Sequence, residues 1–309
     1  MRQYSKIKAR LREVLPPEDS IFFEPIKKHT YTKLGGEADI FVTPTTIGQL
    51  KEIMQVAKEY QTPVTVMGNG SNLIIKDNGL LGLTINLEHM NEISTLHHSI
   101  YAQAGAGLID VSRKALEMKL SGLEFACGIP GTIGGALYMN AGAYGGQVSD
   151  VLNRALVMNK EGELLIMSKD ELNMGYRKSL IATGDYIVLE AEIGLEPGIY
   201  KEIKEKMDHF TCLRESKQPL EYPSCGSVFK RPEGHYTGKL IQDCGLQGLR
   251  IGGAQISTKH AGFIVNVGGA TAKDYTDLIR IIQKTVKRKF DVDLETEVII
   301  RGREDQEVS

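Results

Sequence analysis

An α+β fold divided among two or three domains is what this sequence predicts, and three observations carry it. The 309 residues exceed the roughly 250–300 that one hydrophobic core organises. Strand and helix periodicities alternate compactly at the start of the chain, then separate into short strand-like runs flanked by a few long helices. The 33 glycines gather in discrete strings with no collagen-like period, so tight turns and close backbone approaches recur along the chain.

Taken in order, MRQYSKIKARLREVL at 1–15 reads as a short amphipathic helix, and ADIFV at 38–42 as a strand closed by Pro44. Thr46 opens a helix with Gln49 three residues on, the spacing of a capping box, and Leu50, Ile53, Met54 and Ala57 form its apolar stripe. PVTVMG at 63–68 follows as a strand. From 82 to about 195 the short runs GLTINL, SIYAQAG, RALVMN and YIVLEAEIGL read as strands around one helix over 108–120. Glu196-Pro197-Gly198 punctuates the chain, and 199–213 resumes helical spacing as if bridging to another unit. Beyond it come the alternating strand AGFIVNVGG and a helix over 273–290, with Thr271 at the cap and Asp274 at the acidic third position. LETEVIIRG at 294–302 closes the fold as a strand whose period of two puts Glu295 and Glu297 on one face. The polar tail at 303–309 is expected to fray.

Composition narrows the function. Lysine and arginine total 37 against 39 aspartates and glutamates, a net charge of −2, which argues against the clustered positive charge that nucleic acid demands. No apolar run approaches the ~20 residues that span a bilayer, and the start of the chain lacks the apolar core of a secretory signal, so a cytoplasmic protein is expected. Cys127, Cys212, Cys225 and Cys244 form no CxxC pair and read as reduced thiols. The seven histidines make no HExxH or other ligand spacing, so no metal is assigned. Nothing in the sequence identifies a protein partner.

Three strings carry chemistry. Gly68-Asn69-Gly70-Ser71-Asn72 follows a strand directly, where exposed backbone N–H groups can meet a pyrophosphate; an ordinary strand-exit turn has the same composition. Leu73 occupies the last glycine position of a Rossmann fingerprint, and Gly238-Lys239-Leu240 lacks the hydroxyl of a P-loop. The second string is Gly128-Ile129-Pro130-Gly131-Thr132-Ile133-Gly134-Gly135-Ala136, running on to Asn140-Ala141-Gly142-Ala143. A flat ligand against bare backbone explains it, as does close packing at small residues. The third, PSCGSVFK at 223–230, sets two hydroxyls and a thiol around a glycine but lacks the Gly-x-Ser-x-Gly elbow of a hydrolase, so Ser227 alone reads as a turn hydroxyl. Tyr176-Arg177 and Glu295-x-Glu297 read on their own as solvated surface pairs.

Together with HTYTKLGG at 29–36, these strings in this order resemble the UDP-N-acetylenolpyruvoylglucosamine reductases, over nearly the whole chain. The resemblance implies an FAD-binding domain of the vanillyl-alcohol-oxidase type in two subdomains, 1–86 with 294–309 returning to it and 87–198, plus an α+β substrate domain at 199–293. It implies FAD held by Gly68, Asn69, Gly70, Ser71 and Asn72 at the pyrophosphate. Gly128, Ile129, Pro130, Gly131, Thr132, Gly134, Gly135, Asn140, Ala141 and Gly142 would lie along the flavin. NADPH would be the reductant and a UDP-sugar the substrate. Catalytic positions fall on Arg177, Ser227 and Glu297, and substrate contacts on Tyr176, Lys217, Arg214 and Lys230. Arg231 stands where many members carry Asn. The short connection from Arg177 to Ile199 resembles the class without an inserted tyrosine loop. The residue types suit the chemistry: a cation for the enolate that hydride transfer creates, and a hydroxyl to protonate its α-carbon. An FAD-dependent oxidase or dehydrogenase of the same superfold, and a non-catalytic sugar-nucleotide-binding protein, are the rival readings.

Overall fold

Helix α1 (Arg2–Val14) forms where Ile7 and Leu11, one turn apart, face inward with Leu15 behind them, all at most 3% exposed. The structure, a computed structural model, describes residues 2–304 and divides into two compact units. The first comprises the described parts of Met1–Phe22, Ile40–Asn69 and Gly82–Arg214; the second those of Phe23–Asp39, Gly70–Leu81 and Glu215–Ser309. Among the described residues no helix is long and apolar enough to cross a membrane.

In the first unit, α2 (Ile47–Glu59) is capped by Thr46, whose hydroxyl accepts the Gln49 N–H at 3.1 Å. The Gln49 side chain turns back one residue further than a capping box requires, to the Thr45 N–H and hydroxyl at 2.8 and 2.9 Å. Its fourth buried residue is Val56; Met54, expected in the stripe, is only partly buried. Helix α3 (Leu108–Glu117) stops short of 120, because Lys119 takes a φ of 57° and Leu120–Ser121 pairs with Glu196–Pro197. A short helix not anticipated from sequence, α4 (Ile133–Met139), begins inside the second glycine string. Helix α5 (Tyr200–Lys217) runs a turn beyond 213. Ile203 and Met207 bury against Leu116 with Cys127 beside them, and the first unit extends to Arg214.

Strands Ser20–Pro25, Glu37–Val42, Leu80–Asn86 and Val64–Met67 form a sheet in that spatial order, the last two parallel. A five-stranded antiparallel sheet follows the order Leu164–Ser168, Leu152–Asn159, Tyr186–Gly194, Ser99–Gln103, Ile93–Leu96. Its inward residues, among them Ile100, Ala102, Ala155, Val157 and Ala191, share one core with α1 to α4.

In the second unit an antiparallel sheet runs Ser224–Ser227, Phe263–Asn266, Ala254–Ile256, Arg250–Ile251. Helix α6 (Thr237–Asp243) adds Leu240 and Ile241 to its core, and α7 (Ala272–Phe290) adds Tyr275, Leu278, Ile279 and Ile282. Helix α7 has a full capping box: the Thr271 hydroxyl accepts the Asp274 N–H at 3.1 Å and the Asp274 carboxylate accepts the Thr271 N–H at 2.9 Å. Asp77 adds a second carboxylate at the same terminus, accepting from the Ala272 and Lys273 N–H groups. The closing strand is shorter than its alternation suggests. Only Ile299–Arg301 forms a ladder, parallel to Leu73–Ile75, and 294–298 meets its neighbour through the single bridge Thr296–Phe229. Arg303, expected to fray, is anchored by the Asp39 carboxylate and the Leu80 carbonyl. The rest of the expected tail and return, 305–309, lies outside the described residues.

Candidate functional site

The first unit brings parts of the two glycine strings into contact. A Cβ on Gly68 would lie 2.3 Å from the Thr132 hydroxyl, so the turn leaving Val64–Met67 rests directly on the N-cap of α4. Thr132 is 4% exposed and accepts the Gly135 N–H at 3.4 Å. The string is pinned from beneath by three backbone bonds: Leu108 N–H to Gly131 O, Ile133 N–H to Ala106 O and Gly134 N–H to Ala104 O, all 2.8–2.9 Å. Its glycines divide between close packing and uncovered backbone. Gly134 would press on Ala104 and Gly142 on the Gly146 carbonyl, which is close packing. Gly135 is exposed and a Cβ there would come no nearer than 3.6 Å to its own cap, which is bare backbone. The Arg214 side chain lies over Gly128, and Ile129 and Ala141 pack against the core; Pro130 is half-buried beside them.

The string 68–72 is divided by the unit boundary after Asn69. Gly70 takes a φ of +64°, and a Cβ there would sit 2.4 Å from the His29 carbonyl, so only glycine fits. Among the described residues the N–H groups of Asn69, Gly70, Ser71 and Asn72 donate to no protein acceptor. A run of such donors is what an anion needs. The Asn72 side chain is used differently: it donates to the Glu297 carbonyl at 3.1 Å, and the Asn72 carbonyl accepts the Ile299 N–H at 3.0 Å.

Arg177 stands at the tip of a hairpin in the first unit. Gly175 and Lys178 exchange backbone bonds of 3.0 and 3.2 Å, leaving Tyr176 and Arg177 as the two turn residues. Arg177 holds a φ of 54°, its guanidinium lies 5.0 Å from the Tyr176 ring centroid, and its Nη2 donates to the Gly142 carbonyl at 2.9 Å. The end of the second glycine string therefore touches the candidate catalytic cation. Asn140, which the resemblance places along the flavin, is fully buried at a φ of 44°. Its amide donates to Gly175 O at 3.1 Å and to Gln147 Oε1 at 3.2 Å, and accepts the Ser149 N–H at 2.9 Å.

Ser227 and Glu297 both belong to the second unit. The register of Ser224–Ser227 against Phe263–Asn266 slips between Ser224 and Ser227, and Gly226, at a φ of +78°, absorbs the extra residue. The bulge leaves Ser227 exposed while Cys225 and Val228 turn into the core. Burial pushes the Cys225 thiol up to about 12, so it carries no nucleophilic chemistry at neutral pH. Glu297 lies across from Val228, whose carbonyl accepts the Glu297 N–H at 2.8 Å, one residue after Ser227. The Lys230 amine pairs with the Glu295 carboxylate and its N–H donates to Glu295 O at 2.9 Å. Arg231 stacks 3.9 Å from the Tyr236 ring centroid. Lys217 is exposed at the last position of α5.

Sequence reasoning missed α4, although Thr132 as cap followed by Ile133, Ala136 and Leu137 at helical spacing was the signal. It also missed the Asn140 and Gly142 ties to the Arg177 hairpin, which no local pattern announces.

The chain is similar to known proteins over most of its length. Residues 38–168 match the family model described as FAD binding domain, and 218–301 that of the C-terminal domain of UDP-N-acetylenolpyruvoylglucosamine reductase. A UDP-N-acetylenolpyruvoylglucosamine reductase 2 of Bacillus cereus is 57% identical over 297 residues, covering 96% of this chain and 97% of its own. The reductase of Listeria innocua is 59% identical over 281 residues, covering 91% and 94%. The crystal structure of UDP-N-acetylenolpyruvylglucosamine reductase from Thermus caldophilus superposes with a TM-score of 0.78 at 34% identity, over 91% of this chain and 97% of that one.

Proposed function

Because the chain belongs to the UDP-N-acetylenolpyruvoylglucosamine reductase family, we propose that Arg177, Ser227 and Glu297 carry out its chemistry. The protein is an FAD-dependent oxidoreductase. It uses NADPH to reduce the enolpyruvyl group of UDP-N-acetylglucosamine enolpyruvate to the lactyl ether of UDP-N-acetylmuramate, a precursor of peptidoglycan.

The residues present fit FAD. The N–H groups of Asn69 to Asn72 suit its pyrophosphate, and the uncovered backbone at Gly135 suits a flat ring system. FAD, once bound and reduced, supplies the hydride. Arg177 stabilises the enolate that results, a cation held near the second glycine string by its bond to the Gly142 carbonyl. Ser227 protonates the α-carbon, and the observation that carries its role is its exposure on a glycine bulge beside the Glu297 segment. Glu297 hydrogen-bonds the developing acid group. The engagement of Lys230 with Glu295 favours water as the source of the proton that restores Ser227. Tyr176, Arg214 and Lys217 contact the phosphates and sugar of the substrate. A cytoplasmic location belongs to the same proposal, since both nucleotide ligands carry charges that cross a bilayer only at great cost.

An anaerobic spectrum tests the reading. NADPH should bleach the flavin absorbance, and the enolpyruvyl sugar nucleotide should then restore it. Bleaching by a simple alcohol or hydroxy acid, with none by NADPH, would favour an oxidase or dehydrogenase instead.

A further inference from the structure

The Arg177 hairpin poses a physical problem. A left-handed backbone is disfavoured for a non-glycine residue, and such a conformation persists only where its surroundings over-determine it. The surroundings here come from residues 138–142. Ser179 Oγ donates to Tyr138 O at 2.9 Å, Asn140 Nδ2 to Gly175 O at 3.1 Å and Arg177 Nη2 to Gly142 O at 2.9 Å. Gly142 is itself fixed by pairing with Gln147 in a two-residue hairpin.

Asn140 ties these parts together. Its amide group reaches the Arg177 hairpin through Gly175, the Gly142 hairpin through the Gln147 side chain, and the following turn through the Ser149 N–H. It is 0% exposed. We propose that Asn140 is a positioning residue for Arg177, fixing the guanidinium's carbonyl partner and its hairpin in one register; this rests on the catalytic reading of Arg177. Asparagine suits the place because it tolerates the φ of 44° and offers donors and an acceptor from one short side chain.

The test is a double-mutant cycle on the flavin-bearing enzyme, with turnover normalised to bound FAD. Asn140→Asp keeps the acceptor and the left-handed preference and loses the donors; Asn140→Gly keeps only the backbone freedom. Each should lower kcat by about 10- to 100-fold in the wild-type background, the scale of a displaced catalytic group. In an Arg177→Ala background the same changes should cost less than about 3-fold, because the partner through which they act is gone. Amide hydrogen exchange over 172–180 should quicken in both variants whatever the background. Equal losses in the two backgrounds, unchanged exchange, or no flavin-bearing protein from either variant would make Asn140 a general structural residue and overturn the proposal. If Arg177→Ala alone keeps full turnover, the catalytic reading of Arg177 fails instead, while exchange over 172–180 still reports whether Asn140 holds the hairpin.

Discussion

The hairpin of Arg177 and the bulged strand of Ser227 place candidate catalytic groups by opposite means. Arg177 occupies a disfavoured backbone conformation at a loop tip, held by bonds from a segment some 35 residues earlier. Ser227 ends a strand, where the cost of an extra residue falls on Gly226, which accepts it without strain. Glu297 beside it is fixed through its N–H to Val228 and through its carbonyl to the Asn72 side chain. The second arrangement is held mainly through backbone groups on either side of one bridge, whereas the first relies on a few side-chain donors to carbonyls. The two regions should therefore respond differently to substitution: at the bulge only loss of the reacting group itself should be severe.

The largest effect is expected from Ser227→Ala. Its hydroxyl is exposed and, among the described residues, serves no backbone cap, so the fold and flavin should be untouched while turnover falls by about 10²–10⁴-fold. NADPH should still bleach the flavin at the wild-type rate, since the proton is needed only after hydride transfer. Stopped-flow absorbance separates the two steps; a parallel slowing of flavin reduction would show that Ser227 is not the late acid.

A smaller effect should follow Asn72→Ala, which removes one of the supports of the Glu297 segment. A neutral hydrogen bond contributes about 0.5–1.5 kcal/mol net, so kcat should fall by less than about 10-fold. FAD content should be retained, because the proposed anion contact uses the Asn72 N–H, while its side chain is engaged with the Glu297 carbonyl. Loss of flavin would reverse that assignment, and a drop as large as that of Asn140→Gly would erase the contrast between the two regions.

What the sequence made legible follows the same division. Amphipathic stripes, the Thr271 and Asp274 cap and the alternating strands were readable because each depends on neighbours a few positions apart. The glycine strings by themselves left packing and ligand readings open, and FAD came from the resemblance that all the strings carry together. The partnership of Asn140 with Gly175 was not readable, since it joins positions 35 residues apart and requires knowing where α4 ends. Nor was the shortness of the last strand, where alternation from Leu294 to Ile299 mimics a ladder that Phe229 meets at one point only. The glycines illustrate the limit well: Gly134 and Gly135 look alike in sequence, yet one is packed on Ala104 and the other uncovered.

The smallest expected effect concerns acid, and it asks whether the first unit also concentrates its order in single side chains elsewhere. Glu124 is 3% exposed and gathers the Ser121 hydroxyl at 2.7 Å, the Gly122 N–H at 3.0 Å and Lys206 of α5 at 3.5 Å. Burial pushes its carboxyl up, but those hydrogen bonds and the lysine's attraction more than reverse this, holding it below the ordinary 4.5. A depressed folded value means that the ionised carboxylate stabilises the fold above the ordinary value, and that this contribution is lost as pH falls through the folded one. Glu124→Gln should therefore melt below the wild type at pH 7, with the gap narrowing as the pH drops below about 4.5. Melting curves of both proteins from pH 7 to pH 3 provide the check. A gap that stays constant across that range would mean that Glu124 acts by shape alone, and its charge would have no part in holding α5 against the Ser121–Glu124 turn.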